Sequence, residues 1–405
     1  MVRVPSGART SSSSGKDNRA MHDGEPVRRF EMPRTKRVLE GRGAVRALAE
    51  EIDRRDDQHV VVLSGPSAAE LPEVGALREQ LSHRFALART DVRPHNPSES
   101  VAALVEGARE AGADLLVAVG GGSAVDAAKL VSFALTEEVS GAEELAGAID
   151  RTELSGARPV PVAAVPTTLS AAEWNGLAGL TVERERTKHR LLHPRLAPSI
   201  VALDPDVTRH TPRPLWTTTG VRAVDHAVEA IYSRDAHPFS TALATGALTV
   251  LAEHLPRSSR DPDDAEATLA CQRAAEMAAL ALLNATSGLS HAVGHQLGAA
   301  GVPHGVTSCV MLPHVMRLFA DAAADRMAVV AEALSAGRGG GGSAVAQVEG
   351  LFDDLGVPRR LRDHGITEDQ VGSIAAATMT ETAALRASPV QVDEQLVRQL
   401  VADAL

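Results

Sequence analysis

The stretch Ala118-Val-Gly-Gly-Gly-Ser-Ala-Val-Asp-Ala-Ala-Lys129 (AVGGGSAVDAAK) follows the apolar run DLLVAV. Three glycines between a predicted strand and a predicted helix indicate a backbone that passes close to another group. Backbone N–H groups at a helix N-terminus attract a phosphate, and glycine lets the phosphate approach without a Cβ clash. Ser123 can cap the helix and donate to the anion. A close neighbouring helix and a tight capping turn are the alternatives, since the run matches neither standard phosphate-binding fingerprint.

Short apolar runs alternate with helical segments on both sides of this stretch. The predicted strands are HVVVLS, FALARTDV, DLLVAV, VPVAAVPTT and PSIVALDP. The run GLTVERERTKHRLL is predicted to form further strands as an antiparallel excursion. Strands that alternate with helices predict right-handed crossovers and a mainly parallel sheet covered on both faces.

The pattern changes after Pro205, where Ala-rich helical segments such as ATLACQRAAEMAALALLNA replace the strands. The fold class is therefore α/β plus all-α. We predict a disordered N-terminal extension at 1–33, an α/β domain at 34–206, and an all-α domain at 207–405 that contains a flexible glycine loop at 337–345.

Composition excludes several classes of protein. The 405 residues carry a net charge of −11, which argues against a nucleic-acid or anionic-membrane partner. No apolar run approaches the ~20 residues that span a bilayer. Two cysteines, Cys271 and Cys309, are too few for a disulfide framework, so a cytoplasmic location is the expectation. The N-terminus has no apolar signal core.

Polar residues after two of the predicted strands suggest further ligand contacts. Asp126 and Lys129 lie in the first turns of the helix after the glycines, either on the surface or within reach of a ribose. In the stretch AVPTTLSAAEWNG, Thr167 and Thr168 supply uncharged hydroxyls that suit a ribose or an adenine edge. A helix cap or turn explains the threonines equally well.

Histidines are the second chemical signal. His291 and His295 share a helix face at i,i+4 spacing, His304 follows in a loop where Gly305 allows a close approach, and His226 lies on an earlier helix. Three converging imidazoles suit Zn²⁺ or Fe²⁺, although each histidine alone is consistent with a packed or surface residue.

Arg222 lies one turn before His226 on the same predicted helix face. A guanidinium repels a divalent cation and favours a carboxylate or phosphate, which it can hold with two parallel hydrogen bonds. A structural salt bridge at a helix end is the alternative. Asp225 points about 100° away from His226 and is a poor replacement ligand.

These segments together resemble the iron-containing (group III) alcohol dehydrogenase superfamily, which includes the maleylacetate reductases. The resemblance covers most of residues 34–405 and rests on GGGSAVDAAK, PTTLSAAE, LDP, HAVEAIYS and SHAVGHQLGAAGVPHGVTSCVMLPH. It implies a dehydroquinate synthase-like fold, in which an N-terminal Rossmann-like domain and a C-terminal helical domain hold NAD(P) and substrate between them. It also implies a homodimer.

The resemblance assigns a role to each candidate residue. It places Gly121, Gly122 and Ser123 on the pyrophosphate, Asp126 and Lys129 near the nicotinamide, and Thr167 and Thr168 near the adenosine. The family's metal ligands are Asp, His, His and His. The three histidines correspond to His226, His295 and His304, His291 to a further histidine beside the nicotinamide, and the Asp to Arg222.

Two departures from the family pattern bear on function. Arg222 installs a cation in place of an anionic ligand, which argues against iron or zinc. After HVVVL the chain has Ser64-Gly65-Pro66 where metal-dependent members often have Asp for the ribose hydroxyls. Nothing there excludes a 2′-phosphate, so NADH and NADPH are equally plausible, with Ser64 as a cofactor contact. This feature and HAVEAIYSRDAHP are closer to the maleylacetate reductase branch.

The leading hypothesis is an NAD(P)H-dependent reductase of a small carbonyl or enone substrate that bears an anion. Arg222 would hold the anion, and His226, His295 or His304 would supply the proton. One alternative is an alcohol dehydrogenase in which the three histidines hold Fe²⁺ or Zn²⁺. A non-redox cyclase-like enzyme and a catalytically silent nucleotide-binding relative are the others.

Overall fold

The runs predicted to be strands do form strands, whereas the strands at 19–22, 25–28 and 37–40 were not predicted. The structure, a computed structural model, describes residues 19–22, 25–28, 32, 34–55, 57–149, 154, 158–184 and 187–405. The strands are β1 (Arg19–His22), β2 (Glu25–Arg28), β3 (Arg37–Glu40), β4 (Val60–Ser64), β5 (Phe85–Arg89), β6 (Leu115–Gly120), β7 (Val162–Pro166), β8 (Leu177–Val182), β9 (Thr187–Leu192) and β10 (Ile200–Leu203).

The first 32 residues form a unit of their own, in which β1 and β2 pair antiparallel. The disordered extension predicted at 1–33 otherwise falls on residues outside the described part of the chain, apart from Met32. The second unit runs from Pro33 to Leu405 and contains all the other elements.

Helices fill the intervals between strands and then the whole second half of the chain. They are α1 (Ala44–Asp53), α2 (Pro66–Ala69), α3 (Pro72–Leu81), α4 (Ser98–Glu110), α5 (Gly122–Thr136), α6 (Ala142–Ile149), α7 (Pro205–Thr208), α8 (Arg213–Tyr232), α9 (Pro238–Arg260), α10 (Ala265–Leu283), α11 (Leu289–Ala299), α12 (His304–Phe319), α13 (Ala324–Arg338), α14 (Ala344–Leu355), α15 (Glu368–Thr378), α16 (Thr382–Ala387) and α17 (Glu394–Asp403). Short 3₁₀ turns lie at Ser82–Arg84, Ala172–Trp174, Pro194–Leu196 and Leu361–His364.

Six strands form one fully parallel sheet in the order β3–β10–β7–β6–β4–β5. Side chains alternate between its faces. Val60 and Val62 of β4 pack with α1 and α3, whereas Val61 and Leu63 pack with α4, α5 and α6. Helices thus cover both faces, as the alternation of strands and helices predicted.

The strand order creates a crevice between β4 and β6. The chain leaves β4 toward β5 on one side and leaves β6 toward β7 on the other. At such a switch point the following loops diverge, and ligands of open parallel sheets bind there at the carboxyl ends of the strands. Ser64 ends β4 and Gly120 ends β6, so both lie at this edge.

The strands β8 and β9 form an antiparallel hairpin outside the main sheet, as predicted. Lys129 of α5 fixes its base. The Lys129 side chain is fully buried, and its Nζ donates to the carbonyl oxygens of Ala172 and Leu177 at 2.7 and 2.6 Å. Asp126 accepts from the Gly179 N–H at 3.2 Å and lies 3.4 Å from the ammonium. Of the two alternatives considered for Lys129, the surface position was therefore wrong.

After β10 the chain is helical from Pro205 to Asp403 apart from turns and links. The domain boundary at 206/207 itself stays a prediction. Leu248, Leu251 and Leu255 of α9 belong to one large core of the helical half, in which many alanines allow close packing. The glycine link is shorter than the predicted 337–345, because α13 ends at Arg338 and α14 begins at Ala344.

Within the described residues, no helix combines the length and the apolarity needed to cross a membrane.

Replacing Lys129 tests its role in holding the base of the β8–β9 hairpin. We expect Lys129→Met to lower the free energy of unfolding by roughly 3 kcal/mol, because the substitution leaves two buried carbonyls and the Asp126 carboxylate without their cation. Chemical denaturation measures the effect, with Lys36→Met, an exposed lysine, as the matched control. Equal stabilities of the two variants would show that the buried ammonium contributes nothing to the fold.

Candidate active site

The glycine turn joins β6 to α5 at the switch point. Gly120 has φ +147°, and a Cβ there would lie 2.9 Å from the Ala124 methyl, so the turn requires glycine. A Cβ on Gly121 would lie 3.2 Å from the Thr168 methyl, and one on Gly122 would lie 3.1 Å from the Ser170 hydroxyl. The glycines therefore pack against the loop after β7 rather than a neighbouring helix, and they leave the N-terminus of α5 at the crevice.

Ser123 does not cap α5, contrary to the prediction. Gly121 occupies the N-cap position in extended backbone, and Ser123 lies within the first turn. The Ser123 hydroxyl instead accepts a hydrogen bond from the His95 N–H at 3.3 Å. The serine therefore connects the glycine turn to the loop before α4.

The two threonines lie beside the glycine turn. Thr168 is buried and donates from Oγ1 to the Ser170 hydroxyl at 3.1 Å, which is the local turn role considered as the alternative. The Thr167 N–H donates to the Gly120 carbonyl at 3.0 Å. Ser64 is buried at the end of the neighbouring strand. All three residues thus border the carboxyl edge of the sheet near the N-terminus of α5.

The helix α8 presents a polar face to α11. Glu229 is fully buried and accepts from the Gly288 N–H at 2.7 Å and from the His291 N–H at 3.2 Å. Asp225 accepts from the Ser290 and Ser308 hydroxyls at 3.0 and 2.7 Å. Two carboxylates of α8 therefore hold the N-terminus of α11, where the helix dipole favours negative charge.

The histidines of the two helices meet at this junction. His291 Nδ1 lies 2.6 Å from a Glu229 oxygen and 3.5 Å from an Asp225 oxygen. The His291 ring centroid is 4.9 Å from that of His226 and 6.3 Å from that of His295. Among the described residues, the imidazole packed against His226 is thus that of His291, and His295 lies farther along the helix.

Cations of β9 cover the other two histidines. Arg190 Nη2 lies 2.6 and 2.7 Å from the two ring nitrogens of His295, and Lys188 Nζ lies 3.1 Å from His304 Nε2. Glu381, from the segment between α15 and α16, lies 3.2 Å from His295 Nδ1 and 3.5 Å from Arg190 Nη1. The hairpin therefore closes over α11 and the start of α12.

Arg222 lies among these groups without a carboxylate partner in the described structure. Its Nη1 donates over 3.5 Å to the His304 carbonyl and over 3.4 Å to the Ser308 hydroxyl. The structural salt bridge considered from the sequence is absent from the described residues. Burial lowers the pKa of Arg222 from its usual value, opposed in part by the charges of Asp225 and Glu229.

Gly298 and Gly305 position His304. A Cβ on Gly298 would lie 2.6 Å from the His304 ring, and one on Gly305 would lie 2.8 Å from the Thr218 side chain. The absence of a side chain at Gly305 therefore lets the start of α12 lie close to α8.

The glycine turn and the histidine cluster border one another. His95, whose N–H donates to Ser123, places its ring 5.8 Å from that of His304. On the other side, Asp126 holds Gly179, and a Cβ on Gly179 would lie 2.8 Å from Lys188 Cε. The structure therefore brings the predicted cofactor residues and the predicted catalytic residues to one site.

Burial keeps the four imidazoles neutral at pH 7. It lowers the pKa of His291 to about 3 and that of His304 to about 2, and it lowers those of His226 and His295 as well. The positive charge of Arg222 lowers the pKa of His226, His291 and His304 further. Positive charge in the site therefore comes from the arginines and the lysine.

Sequence reasoning missed three charged residues of the site. Lys188 and Arg190 alternate along β9, which places both on one face of the strand, so a signal existed in TKHRLL. Glu381 lies 86 residues beyond His295 in the sequence, and no local pattern marks it.

Both halves of the chain match a known family. Residues 35–205 match "Iron-containing alcohol dehydrogenase", and residues 216–405 match "Fe-containing alcohol dehydrogenase family, C-terminal". The chain belongs to the iron-containing alcohol dehydrogenase family. It is accordingly an oxidoreductase, an NAD(P)-dependent dehydrogenase or reductase, with the fold and the NAD(P)H cofactor that the sequence predicted. Membership argues against the cyclase-like and silent alternatives.

Relatives with different names match most of the chain. The enzyme is 33% identical to Dehydrogenase ALT3 of Alternaria alternata, over 85% of this chain and 98% of that protein. It is 31% identical to the lactaldehyde reductase of Escherichia coli K12, over 84% and 91%. The crystal structure of maleylacetate reductase from Agrobacterium tumefaciens superposes with a TM-score of 0.76 at 27% identity, over 93% and 98%.

The position of His304 can be tested at Gly298. We expect Gly298→Ala to lower kcat/KM about tenfold or more, because the new methyl displaces the imidazole, and small displacements in an active site are costly. Thermal unfolding should change little, since a flexible ring end gives way. Gly350→Ala is the control: this glycine is also helical, and the nearest atom to its added Cβ is at 4.0 Å. Unchanged activity in both variants would contradict the importance of this ring position.

Proposed function

We propose that the enzyme is an NAD(P)H-dependent reductase of a small carbonyl or enone substrate that carries a carboxylate or a similar anion, and that it works without a metal. The observation that carries the proposal is the guanidinium of Arg222. It lies beside His226 on α8, largely buried, with only a carbonyl and a hydroxyl as long hydrogen-bond partners in the described structure.

A buried cation without an anion is costly unless a ligand supplies the counter-charge. A substrate carboxylate can accept two parallel hydrogen bonds from a guanidinium, and these charge-assisted bonds are the strong ones. Lys188 and Arg190 add positive charge from β9. The arrangement supports an anionic substrate held at Arg222.

The cofactor would lie across the switch crevice. Gly121, Gly122 and Ser123, at the N-terminus of α5, would hold the pyrophosphate. Thr167 and Thr168 would lie near the adenosine. The proximity of Ser123 to His95, and of His95 to His304, supports a path from the pyrophosphate to the histidines.

Two further cofactor contacts follow from the resemblance. Ser64, at the end of β4, would face the adenosine ribose, and no carboxylate follows it to exclude a 2′-phosphate, so NADH and NADPH both fit. Asp126 would lie near the nicotinamide, and Lys129 would act there through Asp126, since its ammonium is buried on two carbonyls.

The bound cofactor supplies a hydride from C4 of the nicotinamide. Lys188 donates to Nε2 of His304, so the neutral imidazole carries its proton on Nδ1, and this buried atom has no partner among the described residues. His304 is one candidate to give a proton to the substrate oxygen, because Lys188 could replace that proton at Nε2. His226 and His295 are the other candidate donors.

His291 would shape the site beside the nicotinamide. Its Nδ1 faces Glu229, which leaves Nε2 toward the rest of the cluster. Glu229 would thus fix the orientation of the ring, as carboxylates do for catalytic histidines.

The residues do not fit the family's metal. The position of the acidic ligand holds Arg222, and Arg190 and Lys188 lie on the ring nitrogens of His295 and His304. A divalent ion there would meet three cations at close range.

A second cluster of possible ligands comprises Asp225, Glu229 and His291. Its carboxylates already hold N–H and hydroxyl donors of α11 and α12. The 2.6 Å between His291 Nδ1 and Glu229 Oε2 is also shorter than the roughly 3.3 Å between two ligands of a tetrahedral zinc. The homodimer and the cytoplasmic location stay predictions.

Substrate specificity tests the role of Arg222. We expect Arg222→Ala to lower kcat/KM about 30-fold or more for a ketone with one carboxylate, mainly through KM, and much less for the matched neutral ketone. Steady-state kinetics on both substrates checks this, with the exposed Arg54→Ala as control. Equal losses on the two ketones would refute the anion-binding role.

Metal analysis tests the second half of the proposal. Protein purified without chelator should contain far less than one equivalent of iron or zinc, and its activity should survive dialysis against a chelator. Arg222→Asp, which restores an acidic side chain, should bind added Zn²⁺ more tightly than the wild type. Stoichiometric metal with chelator-sensitive activity in the wild type would instead favour a metal-dependent alcohol dehydrogenase.

A further inference from the structure

We propose that Glu381 makes the enzyme prefer substrates with one carboxylate to substrates with two. The carboxylate of Glu381 pairs with Arg190, where a second substrate carboxylate would otherwise bind. The inference rests on the proposed function, since it assigns Arg222 to the first carboxylate. It concerns a residue far from the family's motifs, in the segment between α15 and α16.

The contacts of Glu381 converge on Arg190. One carboxylate oxygen lies 3.5 Å from Arg190 Nη1, and the other lies 3.2 Å from His295 Nδ1 and 3.4 Å from Gln296 Nε2. The guanidinium in turn lies against both ring nitrogens of His295. Glu381 thus neutralises Arg190 and holds it over the imidazole.

The other cations of the site are not neutralised in this way. Arg222 has no carboxylate within ion-pair distance among the described residues, and Lys188 contacts the neutral ring of His304. Arg222 and Arg190 are close enough for each charge to affect the site, since Arg190 further lowers the pKa of Arg222. A second substrate carboxylate directed at Arg190 would meet the carboxylate of Glu381.

The ion pair lies at the accessible edge of the cluster, where a substrate group can compete for it. The side chains of Arg190 and Glu381 are 41% and 22% exposed. Exposure makes the pair weak enough to exchange, yet like charges at this distance still repel through a partly desolvated site. Glu381 therefore acts on specificity rather than on the chemical step.

The test uses three matched ketones with no, one and two carboxylates: 2-pentanone, 4-oxopentanoate and 4-oxoheptanedioate. In the wild type we expect kcat/KM to be highest for the monocarboxylate. Glu381→Gln keeps an acceptor oxygen for His295 and removes the charge. We expect it to raise the dicarboxylate-to-monocarboxylate ratio of kcat/KM about fivefold, an effect that shrinks at high salt.

Two controls separate specificity from folding. Glu394→Gln removes the same charge from an exposed ion pair with Arg398 on α17 and should leave the ratio unchanged. In the Arg190→Gln background, Glu381→Gln should no longer change the ratio, because the cation that the two carboxylates compete for is gone. A merely structural defect would lower activity on all three ketones together.

The outcomes distinguish the inference from the proposed function. A wild-type preference for the dicarboxylate, or a ratio that Glu381→Gln leaves unchanged while the anionic ketones still outperform 2-pentanone, overturns the role of Glu381 alone. No preference for either anionic ketone over 2-pentanone overturns the proposed function itself.

Discussion

The contact of Glu229 with the N-terminus of α11 is the interaction on which the site depends. This fully buried carboxylate receives the N–H groups of Gly288 and His291 and the hydroxyl of Tyr232. It joins the helix that carries Arg222 and His226 to the helix that carries His291 and His295. A negative charge at the positive end of a helix dipole is stable in this place, so the two helices are held at a fixed separation by electrostatics as well as by packing.

That junction also explains why the cations of the site are left largely without carboxylate partners. The carboxylates of α8 accept hydrogen bonds from α11 and α12, and neither forms an ion pair with Arg222 in the described structure. The imidazoles, neutral because they are buried, cannot bind an anion by charge. Positive charge comes from Arg222, Lys188 and Arg190, and of these three only Arg190 has a carboxylate within ion-pair distance in the described structure. Arg222 thus affects the charge of the whole site, because it also lowers the pKa of His226, His291 and His304.

The sequence was informative where chemistry is local. Apolar runs marked five of the six parallel strands, all except β3. The glycines after β6 marked the turn, because φ +147° at Gly120 suits glycine and the strand, turn and helix follow one another in consecutive residues. The histidines and Arg222 were also found, since helix spacing groups them. The sequence could not show that His291 rather than His295 packs on His226, because residues four apart share a helix face and only tertiary packing selects one.

The site residues that the sequence did not reveal are brought into place by tertiary contacts. Lys188 and Arg190 reach the histidines because the hairpin folds away from the sheet, and the buried Lys129 directs it there by holding two carbonyls at its base. From the sequence alone, a lysine on a helix is expected at the surface. The carbonyls that bind Lys129 lie more than 40 residues away in the sequence, so no local pattern predicts its burial. Glu381 lies 86 residues from His295 in the sequence, and it reaches His295 because the segment between α15 and α16 packs against α11.

This tether couples the two ends of the site. Lys129 and Asp126 belong to the helix whose N-terminus faces the crevice, and the same pair fixes the strands that carry Lys188 and Arg190. The glycine turn and the hairpin are therefore joined through Lys129 and Asp126, and the hairpin in turn contacts His304 and His295. Because a buried ammonium is costly to separate from its three oxygen partners, Lys129 fixes the position of the glycine turn relative to the strand that carries Lys188 and Arg190.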